Sequence, residues 1–207
     1  AKWLDDIEES QTEEGAIPDV APAFWNYYSD NVTWPGTYIL VADMLYHQYG
    51  DKQAVIKHYA SMKKWMTYMK NRYMKNFIVT KDKYGDWCVP PESLEMIRSR
   101  DSTRTTDGAL LASAYYYRLL TIMEKVAKLS GQQKDIAGYT ALRANIRKAF
   151  NEKFFDAKAG QYDNGTVTAN LLPLYFGIVP DQNKQAVFAN IIKKLEADDM
   201  HISTGVI

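Results

Sequence analysis

The sequence predicts an all-α fold of αα-hairpins arranged as an α/α toroid, with long loops between the hairpins. Three observations carry this. Apolar residues recur at helical spacing in paired segments. Within each pair the first segment is the more apolar. Connections inside a pair are short, whereas those between pairs far exceed the usual ~4–6 residues. With 207 residues the chain is long enough for one domain with a sizeable core.

The clearest helix is predicted over 52–74. Val55, Tyr59, Met62, Met66, Met69 and Tyr73 alternate spacings of four and three, and Lys57, Lys63, Lys64 and Lys70 occupy the other faces. The apolar segment "LVADMLYHQYGD" precedes it and ends at Gly50, a C-cap glycine, so 37–74 reads as the first hairpin. The second, 104–151, opens with "TTDGALLASAYYYRLLTIMEKVAKLSG" between Asp107 and Gly131. Its first helix is apolar almost all round over 109–123, as a helix buried on every side would be. Its second helix carries one narrower stripe of Tyr139, Leu142, Ile146 and Ala149. The third hairpin, 166–197, pairs "TVTANLLPLYFG" with "NKQAVFANIIKKLEA", and Pro173 is expected to kink its first helix. The asymmetry within each pair suggests inner and outer helices rather than an up-down bundle. Loops 11–36 and 76–103 should then emerge at one end, and "NFIVTKD" in the second has the residues of a short strand.

Several function classes fall away on composition. Lys+Arg and Asp+Glu are both 25, giving no net charge, so a nucleic-acid partner is not expected. No window approaches 18 apolar residues, so no membrane partner is expected, and "AKWLDDIEES" does not read as a signal peptide. Cys88 stands alone and permits no intrachain disulfide, which leaves the compartment open. Asn31 and Asn164 begin N-x-T sequons that read as chance. His47, His58 and His201 lack ligand spacing, and no Gly-rich phosphate loop or nucleophile elbow is present, so neither a metal nor a cofactor is expected.

What remains is carboxylates beside aromatics in the long loops: Asp86-Trp87 in "YGDWCVPP", and Asp30 near Trp34. A Trp ring offers a flat apolar platform to the C–H face of a sugar, and an Asp accepts hydrogen bonds from its hydroxyls. The alternative is that Trp34 and Trp87 plug the bases of their loops. Trp3, Trp25 and Trp65 read as packing residues.

Taken in order, "EEGAIPDVAP", "NVTWPGTYILVADMLYHQYGD", "YGDW", "TTDGALLASAYYYRLL", "AFNEKFFDAKAGQYDNGTVTANLLPLYFGIVP" and "HISTG" resemble the six-hairpin catalytic domain of family 78 glycoside hydrolases, the α-L-rhamnosidases. The resemblance runs nearly end to end. It implies a single partial (α/α)6 toroid, 1–207, a fragment of a larger catalytic domain that inverts the anomeric centre without a metal. It also implies a rhamnose-containing glycoside or polysaccharide as partner, with Trp34, Asp86 and Trp87 lining the pocket. Two departures stand out. The family's frequent Trp-Gly-Asp-Ala is "WPGT" here, and its Thr-Gln-Thr-Ala is "TVTAN".

In that family the general-acid Glu lies upstream of the segment like "AKWLDDIEE", and the general-base Glu lies downstream of the one like "HISTG". No catalytic residue is therefore expected within these residues. Inversion needs both carboxyl groups, about 6.5–9.5 Å apart. The chain alone is expected to be inactive and to self-associate through the exposed edges of a partial toroid. The compartment of the parent is left open, with a bacterial periplasmic or secreted one slightly favoured over a cytoplasmic one. Two alternatives stay open: another toroidal glycosidase with Asp86 or Asp101 catalytic, and a non-catalytic helical carbohydrate-binding scaffold.

Overall fold

In the computed structural model, residues 2–25, 27–82, 84–86 and 104–205 are described. Among them the chain is predominantly helical. A short helix α1 (Lys2–Glu9) precedes the first long loop, and α2 (Thr37–Tyr49) opens the first hairpin. Gly50 takes the left-handed conformation and its N–H returns to the Tyr46 carbonyl, as a C-cap glycine does. Asp51 caps the next segment, accepting from the Gln53 and Ala54 amides.

That segment differs from the single helix expected over 52–74. It is two helices, α3 (Lys52–Lys57) and α4 (Tyr59–Tyr73), broken at His58. The cause is tertiary. His58 is only 1% exposed and lies between two carboxylates of α1, with Nδ1 at 2.7 Å from Glu8 and Nε2 at 3.2 Å from Asp5. The interruption is confined to this one residue, and the His58 carbonyl still accepts from the Met62 amide at 2.9 Å. The apolar stripe survives the break, since Val55, Tyr59, Met62, Met66 and Met69 are all buried.

β1 (Met74–Lys75) and β2 (Ile78–Val79) form a minimal antiparallel hairpin, of which only β2 falls in the segment that read as a strand. Asn76 and Phe77 both have positive φ, the signature of a tight hairpin turn. The Val79 amide and carbonyl are both met by the Ser113 hydroxyl, which fixes the hairpin to α5 (Gly108–Leu129).

α5 is the centre of the molecule. It is buried around nearly its full circumference from Leu110 to Met123, as its sequence predicts, and Asp107 caps it through the Ala109 and Leu110 amides. It packs against α6 (Gln133–Phe154), α2 and α7 (Val167–Tyr175), and it receives α3 and α4. The outer helices α6 and α8 (Lys184–Ala197) bury only narrow stripes, Ile146, Phe150 and Phe154 in one and Val187 and Ile191 in the other. In the first hairpin the asymmetry of burial is reversed, contrary to expectation, because α4 buries more residues than α2 does. Pro173 falls in the last turn of α7, which ends two residues later. A second small hairpin, β3 (Phe155–Asp156) with β4 (Gln161–Tyr162), links α6 to α7 and was not expected.

Two tryptophans bear on the expected packing roles. Trp65 is buried in the core, whereas Trp25 is 73% exposed and meets Phe24 edge-on. Trp25 is thus not a packing residue among the described residues. Trp3 lies at the surface, with its indole N–H held by the Ala21 carbonyl at 2.5 Å. No helix among the described residues is long and apolar enough to cross a membrane.

Candidate functional site

The connections between hairpins meet at one end of the helices, and side-chain hydrogen bonds join them in series. Thr33, in the first long loop, donates its hydroxyl to Asp82 Oδ2 at 3.0 Å. Asp82 Oδ1 accepts from the Tyr84 and Gly85 amides at 3.2 and 2.9 Å, closing a turn in which Gly85 has φ +61°. Tyr84 donates its hydroxyl back to Asp19 Oδ2 at 2.6 Å, and Ser29 donates to the other oxygen of the same carboxylate at 2.6 Å. Burial, then this bond to Asp19, pushes the Tyr84 phenol up to about 12.

Trp34 and Tyr84 are the aromatic pair that results. Their ring centroids are 5.3 Å apart at 41°, and Trp34 remains 37% exposed. Tyr84 is tethered at its hydroxyl and at its amide, so it backs Trp34 with a fixed surface. A platform of this kind can receive the apolar face of a sugar.

Asp86 is two residues from Tyr84, but its carboxylate points into the protein. It is 5% exposed, with Oδ1 accepting from the Gly205 amide at 2.7 Å and Oδ2 from the Thr106 hydroxyl at 3.0 Å. Thr106 Oγ1 is also 2.7 Å from Thr166 Oγ1, and Thr166 caps α7 through the Ala169 amide at 3.1 Å. Asp86 therefore ties three further segments together. A carboxylate held and covered in this way is badly placed to exchange protons with a substrate, although each oxygen keeps a second lone pair for a ligand hydroxyl.

Of the residues singled out from the sequence, Trp34 and Asp86 share this end of the molecule. Trp87 and Asp101 lie outside the described residues. Asp30 turns away from Trp34: its carboxylate accepts from the Tyr68 hydroxyl at 2.9 Å and from the Tyr73 hydroxyl, so it fastens the loop to α4. Asp19, Asp82, Thr106 and Thr166 were not singled out. Single Asp and Thr residues in loops are common, and only the fold shows which ones meet across it. Tyr115 was missed as well. It sits one turn beyond Leu111, whose side chain would meet a Cβ on Gly85 at 3.8 Å, and its ring packs on Phe176 with centroids 5.3 Å apart. Burial raises its phenol pKa, with Asp82 and Asp86 adding to the effect.

Among the described residues no cluster of three His, Cys, Asp or Glu side chains could hold a metal ion. A broad open groove along α4, between Glu14, Lys64 and Arg72, lies apart from the Trp34–Asp86 end.

The description of the bacterial alpha-L-rhamnosidase six-hairpin glycosidase domain matches residues 1–207. The chain belongs to this family. The alpha-L-rhamnosidase of Streptomyces avermitilis is 31% identical over 99% of this chain, and one from Formosa agariphila is 27% identical over 99%. These matches span 18% and 22% of the two relatives, so the chain corresponds to about a fifth of their length. Among solved structures, alpha-L-rhamnosidase from Dictyoglumus thermophilum superposes with a TM-score of 0.87 at 35% identity, covering 99% of this chain and 22% of that one. The Streptomyces avermitilis enzyme complexed with L-rhamnose gives a TM-score of 0.86 at 31% identity, covering 99% of this chain and 18% of that one. The three helical hairpins thus match part of a six-hairpin glycosidase domain.

Proposed function

We propose that the protein carrying this chain is an inverting α-L-rhamnosidase that releases terminal L-rhamnose from a glycoside or polysaccharide. In this reading residues 1–207 form a single part of its catalytic toroid, and Trp34, Asp86 and Trp87 line the rhamnose pocket. The observation that carries the reading is the family match along the whole chain. The relative solved with L-rhamnose supports the substrate class. The exposed face of Trp34, backed by a tethered Tyr84, supports a stacking role, and the hydrogen bonds of the buried Asp86 support one of holding the loops that carry the pocket.

The acid and base are expected outside these residues. Leaving-group protonation and water activation each need a positioned carboxyl group, and losing one costs a factor of about 10² to 10⁴. The test is hydrolysis of an aryl α-L-rhamnoside by the whole protein and by residues 1–207 alone. Turnover by the whole protein with only background from the chain is expected. Robust turnover by the chain would make an internal carboxylate such as Asp86 or Asp101 catalytic. An inactive whole protein that still binds a sugar would point to a carbohydrate-binding scaffold.

A further inference from the structure

Two loops far apart in sequence build the platform end, and one side chain joins them. Asp82 Oδ1 closes the turn that presents Tyr84, Gly85 and Asp86, and Oδ2 accepts from the Thr33 hydroxyl at 3.0 Å, next to Trp34. The Thr33 amide approaches the same oxygen at 3.4 Å. The main chain of Asp82 is itself seated on the scaffold. A Cβ on Gly108, in the first turn of α5, would stand 2.6 Å from the Asp82 carbonyl oxygen, so helix and loop are in backbone contact there. The carboxylate thus spans from a loop fixed on α5 to the loop that carries Trp34.

We propose that Asp82 is a positioning residue of the site: it sets where the Trp34 platform stands relative to Asp86. The proposal rests on reading this end as the rhamnose pocket. Asp82 does not touch the sugar in this arrangement. It acts through Thr33, Tyr84 and Gly85, and its value lies in using both oxygens on opposite loops. Asn cannot reproduce this in full, because its oxygen can serve one loop only while its NH2 faces the other. Thr33 can turn its hydroxyl to accept from that NH2, so Asn should restore part of the link. A carboxylate accepting several N–H and O–H donors in a covered turn also holds them more firmly than a neutral acceptor would. Displacing a substrate-positioning group by about 1 Å can cost on the order of 10²-fold in rate, so a loosened clamp should be visible in kinetics.

The test uses Asp82→Ala, Asp82→Asn and Thr33→Val in the whole protein labelled with 5-fluorotryptophan. The Trp34 fluorine resonance reads the platform and that of buried Trp65 reads the core. Asp82→Ala should shift or broaden the Trp34 signal, leave Trp65 unmoved, and raise KM for an aryl α-L-rhamnoside by about tenfold with a smaller change in kcat, as loss of ground-state positioning does. Asp82→Asn should recover part of both effects, and Thr33→Val should reproduce part of them with Asp82 intact. An unmoved Trp34 signal in Asp82→Ala would overturn the proposal. So would a shift of Trp65 together with Trp34, with unchanged KM in the folded fraction, because Asp82 would then be merely structural. If the wild-type protein turns over no rhamnoside, the functional reading fails separately, and the Trp34 and Trp65 signals still decide the clamp.

Discussion

Replacing Asp86 separates the shape of its hydrogen bonds from their charge. Two donors converge on this carboxylate, the Gly205 amide at 2.7 Å and the Thr106 hydroxyl at 3.0 Å, and the residue is 5% exposed. Asp86→Asn can keep both bonds. The new carbonyl oxygen accepts from Gly205, the new NH2 donates to Thr106, and Thr106 then donates to Thr166, which is 2.7 Å away. What is lost is charge assistance, about 1 kcal/mol as the difference between bonds to charged and to neutral groups. Asp86→Ala removes both bonds and leaves the Thr106 hydroxyl and Gly205 amide to find water. Each bond to a charged group is worth about 1.5–3 kcal/mol, and the outer position of Gly205 reduces its share, so about 2–4 kcal/mol is at stake. For a chain of this size 1 kcal/mol moves Tm by about 2–4 °C. Thermal unfolding should therefore show a drop of about 2–4 °C for Asn and roughly 4–16 °C for Ala. Rhamnoside turnover by the whole protein should weaken modestly with Asn and not vanish. Equal Tm losses in the two variants would refute the reasoning, as would no loss in Ala. Abolished turnover in a stable Asn variant would refute the assigned role.

Other outcomes follow from the same structure. In the whole protein Trp87→Ala should cost about 1–3 kcal/mol of transition-state binding with Tm nearly unchanged if the ring stacks on sugar; a Tm loss of several degrees with activity retained in the folded fraction would make it a plug. The exposed Met44 and Tyr49 of α2 and Leu171 and Tyr175 of α7 flank the inner layer, so residues 1–207 should self-associate, and light scattering that shows a monomer at high concentration would contradict this. Asp135 binds Lys63 Nζ and the Tyr59 hydroxyl, which hold its carboxyl below the usual range, Lys63 most strongly. Its stabilising contribution is complete above the carboxylate's unfolded pKa of about 3.9 and is lost as pH falls through the depressed folded value. Asp135→Asn should accordingly flatten the acid limb of the stability–pH curve, as followed by urea unfolding below pH 5.

The hairpins were legible because helical periodicity and caps are local signals. Asp107 and Gly50 cap where the sequence places them, and the stripe from Val55 to Met69 is buried. The break at His58 was not legible, because its cause sits on α1 some 50 residues earlier. Trp25 was misread for a related reason: a loop tryptophan carries no periodicity to show which way it faces. At the candidate site, Trp34 and Asp86 were proposed from residue type and from the family's motifs, and the structure places both at the same end of the molecule. The bonds that join their loops, Thr33 to Asp82 and Asp86 to Thr106 and Thr166, run between residues with no local signature.

The all-round burial of α5 has a consequence for how the chain reaches its structure. A helix that needs neighbours on every side gains only part of its burial from its own hairpin partner, even though α6 is its most extensive neighbour, because the faces that later meet α2 and α7 stay wet in the meantime. Its stabilising contacts reach across a long stretch of sequence in both directions, so the entropy of closing those loops must be met before most of the burial is realised. Each hairpin alone would leave part of its apolar surface in water. Most of the burial of α5 is then completed only when all three hairpins are in place around it.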